Sequence, residues 1–93
     1  MKIMRRDNRF IAIDEDKNAA LGQITWVEED GRIVIEHTFV KEEYSGQGVG
    51  RALLDEVVAL ARSNNQKIIP QCVFAIKQFH DNPEEFADVW EKK

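Results

Sequence analysis

The residues best placed to do chemistry form one run, Glu43-Tyr44-Ser45-Gly46-Gln47-Gly48-Val49-Gly50-Arg51-Ala52, which holds three of the chain's five glycines. Glycine takes backbone conformations closed to other residues, and without a Cβ it lets a ligand reach the main chain. An amphipathic stretch follows at once, so the run would open a helix. The first N–H groups of that helix lack intrahelical partners, and its dipole adds partial positive charge at the same end. Such a site suits a phosphate or diphosphate. Two common phosphate sites are excluded by spacing. A dinucleotide fingerprint counted from Gly46 and Gly48 needs a third glycine where Arg51 stands, and no Gly-Lys-Ser/Thr ending is present to hold a β/γ-phosphate and magnesium. G-x-G-x-G remains, a pattern that also fits a turn joining strand to helix.

Cys72 is the single cysteine. As a thiolate it would be a nucleophile; as a thiol it would be a small buried hydrophobe. His37 alternates with Ile33, Ile35 and Phe39, which makes it an inward-facing candidate base or a hydrogen-bonded core histidine. Glu36, Glu42 and Glu43 are further carboxylate candidates, but nothing local predicts their burial and they read rather as solvated charges. Lys41, Arg51 and Lys77 could reach ligand phosphates or simply cover the surface. Trp26 and Trp90 read as packing rather than as a base-stacking platform. His37 and His80 lack the clustered companions that zinc requires, so no metal is expected.

The elements that must position these residues follow from periodicity. Arg9 to Ile13 is a short apolar run of strand type, closed by the charged turn Asp14-Glu15-Asp16-Lys17-Asn18. Ala19 to Val27 reads as a second strand, with Ala20, Gly22, Ile24 and Trp26 on one face and Leu21, Gln23, Thr25 and Val27 on the other. Asp30-Gly31 is a hairpin signal, because a type I′ turn needs positive φ at both central positions. Arg32 to Val40 returns antiparallel. After the glycine run, Val49 to Ser63 is an amphipathic helix packing through Leu53, Leu54, Val57, Leu60 and Ala61, with Asn64-Asn65 as its stop. Lys67-Ile68-Ile69-Pro70 reads as a buried strand ended by proline. Val73 to His80 is a short helix, and Asn82 as cap with Pro83, Glu84 and Glu85 in the first turn predicts another, carrying Phe86, Val89 and Trp90. The order is β-β-β-α-β-α-α, an α+β fold with a mostly antiparallel sheet.

Composition bounds the rest. With 93 residues, 43% apolar and 32% charged, the chain is expected to make one domain with one core. A net charge of −4 argues against nucleic acid as partner, since a clustered basic footprint should carry that affinity. One cysteine fits a reducing compartment. Met1 to Asp7 shows no secretory signal, and the longest apolar run, Val57 to Ala61, cannot span a bilayer. The expectation is a cytoplasmic protein without membrane contact.

Taken in order, His37-Thr38, Gly46-Gln47-Gly48-Val49-Gly50, Pro70-Gln71-Cys72-Val73-Phe74 and Pro83-Glu84 resemble the small cysteine-containing subfamily of the GNAT N-acetyltransferases, over roughly Gly22 to Asp88. The resemblance implies a minimal acetyl-CoA-binding domain without the extra N-terminal helices of larger members. It implies a pyrophosphate held by backbone amides from Ser45 and Gly46 through Gln47, Gly48, Val49 and Gly50 to Arg51. It further implies a pantetheine arm beside Ile68 and Ile69, and an acetyl group near Cys72. The wider signature would place Gln or Arg at Ser45, so any side-chain contact there is lost while the backbone cradle remains. The implied activity is acetyl transfer to an unidentified amine, exposed or carried on a macromolecule. It would run through an acetyl-cysteine on Cys72 with His37 as base, or by direct attack with an Ile68-Ile69 backbone N–H stabilising the oxyanion. The alternative is a non-catalytic module that binds CoA or acetyl-CoA and recognises a partner protein.

Overall fold

The computed structural model describes residues 1–91. Five strands form one sheet in the order β1 (Lys2–Arg5), β2 (Arg9–Asp14), β3 (Ala19–Glu29), β4 (Arg32–Val40) and β5 (Ile68–Pro70). The first four are antiparallel neighbours, and β5 runs parallel to β4. A single 3-10 turn, Glu42–Tyr44, leads towards helix α1 (Val49–Asn64), and α2 (Val73–Asp81) follows β5. The α+β architecture and the mostly antiparallel sheet agree with the sequence. So do the Asp30-Gly31 turn, with φ of 52° and 78°, and the left-handed Asn65 that ends α1.

One face of the sheet packs on α1. Ile24, Trp26, Ile33, Ile35 and Ile68 meet Leu53, Leu54, Val57, Val58 and Ala61 in a single cluster. Each such side chain, fully buried, contributes roughly 1.5–3 kcal/mol of transfer free energy if it is a Val, Leu, Ile or Phe. The helix therefore holds the sheet through a stripe, as its periodicity requires.

The structure corrects the sequence reading in three places. First, β1 is an additional strand, pairing Ile3 with Ala12 and Met4 with Ile11. Its outer residues Lys2 and Arg5 are exposed, so it carries little apolar pattern; Arg5 instead lays its guanidinium over Trp26, 5.4 Å from the ring centroid. Second, two bulges break the straight alternation of β3 and β4. Ala12 faces Gly22 but Ile13 faces Ala20, so Leu21 is an extra residue that turns into the core while Ala20 is exposed. Thr25 faces His37 but Trp26 faces Ile35, so Glu36 is extra. Beyond Glu36 the alternation is inverted, as a bulge demands.

Third, residues 82–91 form turns rather than a third helix. Asn82 is spent on the end of α2, where its N–H and its side-chain amide both donate to the Gln78 carbonyl, at 3.1 and 3.0 Å. The segment then leaves helical geometry to edge β5: Ile68 N–H donates to the Val89 carbonyl and Glu91 N–H to the Ile68 carbonyl. Strand pairing at Ile68 and a helix through Val89 cannot coexist, and the sheet edge wins.

Side chains fasten this segment to α1. Arg62 donates to Asp88 through Nε at 2.8 Å and to the Glu85 carbonyl at 3.0 Å. The Arg62 hydrogen bond holds the Asp88 carboxyl below its ordinary range, against a weaker upward push from burial. A carboxyl depressed in the folded state adds stability above its unfolded value, about 4, and that contribution is lost as pH falls through the folded value. Urea melts from about pH 6 down to about pH 3 should therefore show Asp88→Asn starting less stable than the parent and losing less on acidification. Parallel pH profiles for the two proteins would contradict the pairing.

Candidate active site

The glycine run is built as a cradle. Gly46 and Gly48 have φ of +78° and +83°, and a Cβ placed on either would meet nothing within 4 Å, so the main chain there is open to a ligand. Gly48 is the N-cap of α1 and offers no side chain to the helix start. The α1 ladder begins with Ala52 N–H donating to the Gly48 carbonyl at 3.0 Å, which leaves the N–H groups of Val49, Gly50 and Arg51 ahead of it. Gly50 has a different task. Its Cβ would stand 3.0 Å from the Phe74 ring, so this glycine lets the starts of α1 and α2 approach each other.

A cleft of about 390 Å³ runs between these two helix starts. Ser45, Gly46, Gly48, Val49, Gly50 and Arg51 line it from the loop, Val40 and Tyr44 from the end of β4 and the turn after it, and Phe74 and Gln78 from α2. Gln47 is exposed and does not line it. The Arg51 guanidinium is committed elsewhere: it bonds Asp55 at 2.9 Å, Glu85, and Gln78 at 3.3 Å, and covers Phe86 at 5.1 Å. Those bonds, Asp55 first and then Glu85, push its already high affinity for the proton up further. Arg51 thus offers the cleft its backbone N–H rather than a free cation.

The second half of the site lies where β4 and β5 part. Pairing covers Ile33 to Ile35, and its last bond is Gln71 N–H to the Ile35 carbonyl at 3.0 Å. From Glu36 onward β4 has no β5 partner, because the chain turns into α2. Cys72 caps α2 at this point: it is partly buried, its sulfur accepts from Ala75 N–H at 3.4 Å, and it lies 3.2 Å from the Thr38 hydroxyl oxygen. Thr38 and the sulfur therefore bridge the splay.

Three sequence expectations change here. His37 pairs with Thr25, is exposed, and lies on the face opposite Thr38, whose partner is the core residue Ile24. It is not the inward-facing group that uninterrupted alternation predicts. Ile68 is buried in the core and its N–H already serves the Val89 carbonyl, so it cannot supply an oxyanion donor. Ile69 opens, with Pro70, Ile76 and His80, on a separate hollow of about 610 Å³ lined by none of the loop residues. Phe74, Gln78 and Tyr44 were missed as cleft residues, since nothing in local spacing says that α2 returns to the glycine loop. Among the described residues no group of three or more His, Cys, Asp or Glu side chains could hold a metal ion. No described helix is long and apolar enough to cross a membrane.

Comparison with known proteins agrees with this architecture. Residues 9–89 match the sequence model of the family described as GCN5-related N-acetyl-transferase. The chain is similar to a GCN5-like protein from Staphylococcus aureus whose solution structure was determined by NMR, at 40% identity and a TM-score of 0.77 over 99% of this chain and 89% of that one. An acetyltransferase of the GNAT family from Staphylococcus aureus MU50 shares the fold at 20% identity and a TM-score of 0.65, over 81% of this chain and 50% of that one. A Trypanosoma brucei acetyltransferase shares it at 21% identity and 0.62, over 82% and 59%. No curated protein matches the chain. With the family model spanning nearly the whole described fold, the chain belongs to the GCN5-related N-acetyltransferases.

Proposed function

We propose that the protein binds acetyl-CoA in the cleft between α1 and α2 and moves its acetyl group to an amine through Cys72. The observation that carries this reading is the convergence of two helix starts. One presents open backbone N–H groups at Val49, Gly50 and Arg51, and the other, against it through Phe74 and Gly50, is capped by the only cysteine. An anion at the first and a carbonyl at the second both gain from the N-terminal dipole. Bound there, acetyl-CoA supplies an activated acetyl thioester.

The chain's own groups then have distinct tasks. The cradle from Gly46 to Arg51 holds the pyrophosphate by its amides. Val40 and Phe74 give the pantetheine arm an apolar wall on the way to the splay. The Val73 and Phe74 N–H groups precede the α2 ladder, whose first bonds run from Ala75 to the Cys72 sulfur and from Ile76 to the Cys72 carbonyl, so they replace Ile68 as oxyanion donors. The Cys72 sulfur takes the acetyl group and passes it to the amine. The amine gives up its proton to the Cys72 sulfur as the acetyl group leaves, a step that His37, exposed on the face opposite Thr38, is not placed to serve. The start of α2 is open to solvent at Val73, so an exposed or macromolecular amine fits best.

Acid-quenched intact-mass measurement after mixing with acetyl-CoA alone should show one acetyl group, localised to Cys72. Cys72→Ser keeps a good helix cap and should bind acetyl-CoA in calorimetry while forming no thioester adduct. Acetyl transfer by Cys72→Ser or Cys72→Ala at the parent rate would favour direct attack, with Cys72 only lining the pocket. Absence of binding at millimolar acetyl-CoA would reject the whole reading.

A further inference from the structure

We infer that Thr38 is a catalytic residue, carrying the proton between the Cys72 sulfur and the sulfur of CoA; this rests on the acetyl-cysteine reading. Passing an acetyl group from one thiol to another needs a proton to travel the opposite way. The Cys72 S–C bond forms, the thioester C–S bond breaks, its electron pair goes to the CoA sulfur, and the proton lost by Cys72 ends there. Atoms and charge balance without any outside acid, base or oxidant. What the step requires is a group beside the sulfur that accepts and donates at once.

Among the described residues two groups hydrogen-bond the Cys72 sulfur, Ala75 N–H at 3.4 Å and the Thr38 hydroxyl at 3.2 Å. The amide can only donate. A hydroxyl carries one donor and two acceptor lone pairs, so it can take the S–H proton while handing on its own. The bulge at Glu36 is what puts it there. Had β4 alternated without interruption, His37 would share the face of Ile33 and Ile35; the extra residue exchanges it for Thr38, whose cross-strand partner Ile24 lies in the core. Thr38 is partly buried, so the transfer need not pass through bulk water. In the second half-reaction the amine nitrogen bonds the acetyl carbon, the Cys72 S–C bond breaks with its electron pair going to that sulfur, and Thr38 hands the sulfur the proton that the nitrogen loses.

The test measures the rate of acetyl adduct formation on Cys72 by rapid acid quench, together with acetyl-CoA affinity by calorimetry. Thr38→Val keeps the shape and removes the hydroxyl. It should slow adduct formation by about a hundredfold, the lower end of proton-transfer catalysis, with affinity unchanged. Thr38→Ser should restore most of the rate, which a merely structural threonine would not require. Thr38→Ala repeats the loss should the valine variant prove unstable. Parent-like rates in Thr38→Val, or equal losses in the valine and serine variants, overturn the role of Thr38 alone. A parent protein that binds acetyl-CoA and never forms the adduct overturns the acetyl-cysteine reading, and Thr38 with it.

Discussion

Gly48→Val is expected to abolish detectable acetyl-CoA binding, with an affinity loss of at least about a hundredfold, or ~2.7 kcal/mol. The added side chain would stand in open space above the cradle, where a Cβ now meets nothing within 4 Å. That is the space a pyrophosphate would need in order to reach the amides of Val49, Gly50 and Arg51. The change also strains the chain, since φ of +83° is unfavourable for a branched residue, costing about 1–3 kcal/mol. A domain of this size has roughly 5–15 kcal/mol in hand, so the fold should survive with a lower melting temperature. Gly31→Val separates the two effects. Gly31 has a nearly equal φ of +78°, in the hairpin turn after β3, and equally open surroundings, but does not line the cleft. It should lose similar stability and keep full affinity. Calorimetry giving parent-like affinity for Gly48→Val, or matched losses for both variants, would remove the cradle from the binding site.

The contrast between those two glycines shows what local sequence can carry. Gly48 and Gly31 are legible because a turn's demand for positive φ lies within a few adjacent residues, and Asp30-Gly31 and Gly46-Gln47-Gly48 state it directly. Helix α1 is legible for a similar reason: Leu53, Leu54, Val57 and Ala61 repeat at its own period, and Asn65 closes it in the left-handed conformation. The site beyond the loop depends on one-residue events that periodicity does not record. Glu36 looks like any outward strand residue, yet as a bulge it exchanges His37 for Thr38 at the sulfur. Cys72 reads as a core thiol or a nucleophile from sequence, and no local spacing shows that it caps α2 beside Thr38 at the splay. Asn82-Pro83-Glu84-Glu85 has every local feature of a helix start. It fails because Asn82 is already needed by Gln78, and because Ile68, fourteen residues earlier, claims the backbone of Val89 and Glu91.

That mistaken helix is where the largest stability effect is expected. Phe86→Ala should cost about 3–5 kcal/mol, the usual range for emptying a buried aromatic site. Although it sits among turns, Phe86 is 1% exposed. It stacks on Phe79 with ring centroids 4.5 Å apart, and Phe79 in turn meets Trp90 edge-on at 5.5 Å. The ring thus joins α2 to the C-terminal segment that edges β5. Its other face carries the Arg51 guanidinium, so the start of α1 rests on it as well. Glu85→Ala removes an ion pair to Arg51 at the surface and should cost less than about 1 kcal/mol. The comparison decides whether packing or charge fastens residues 82–91, and the burial of Phe86 against the exposure of Glu85 favours packing. Denaturant melts of the two variants measure it; a Phe86→Ala loss below about 1 kcal/mol would mean the segment contributes little to the core. Function should follow stability in this case. Arg51 and Gln78 line the cleft and are bonded to each other over Phe86, so emptying that position loosens the wall between α1 and α2. Phe86→Ala should therefore weaken acetyl-CoA binding even under conditions where it remains folded, while Glu85→Ala should leave binding nearly unchanged.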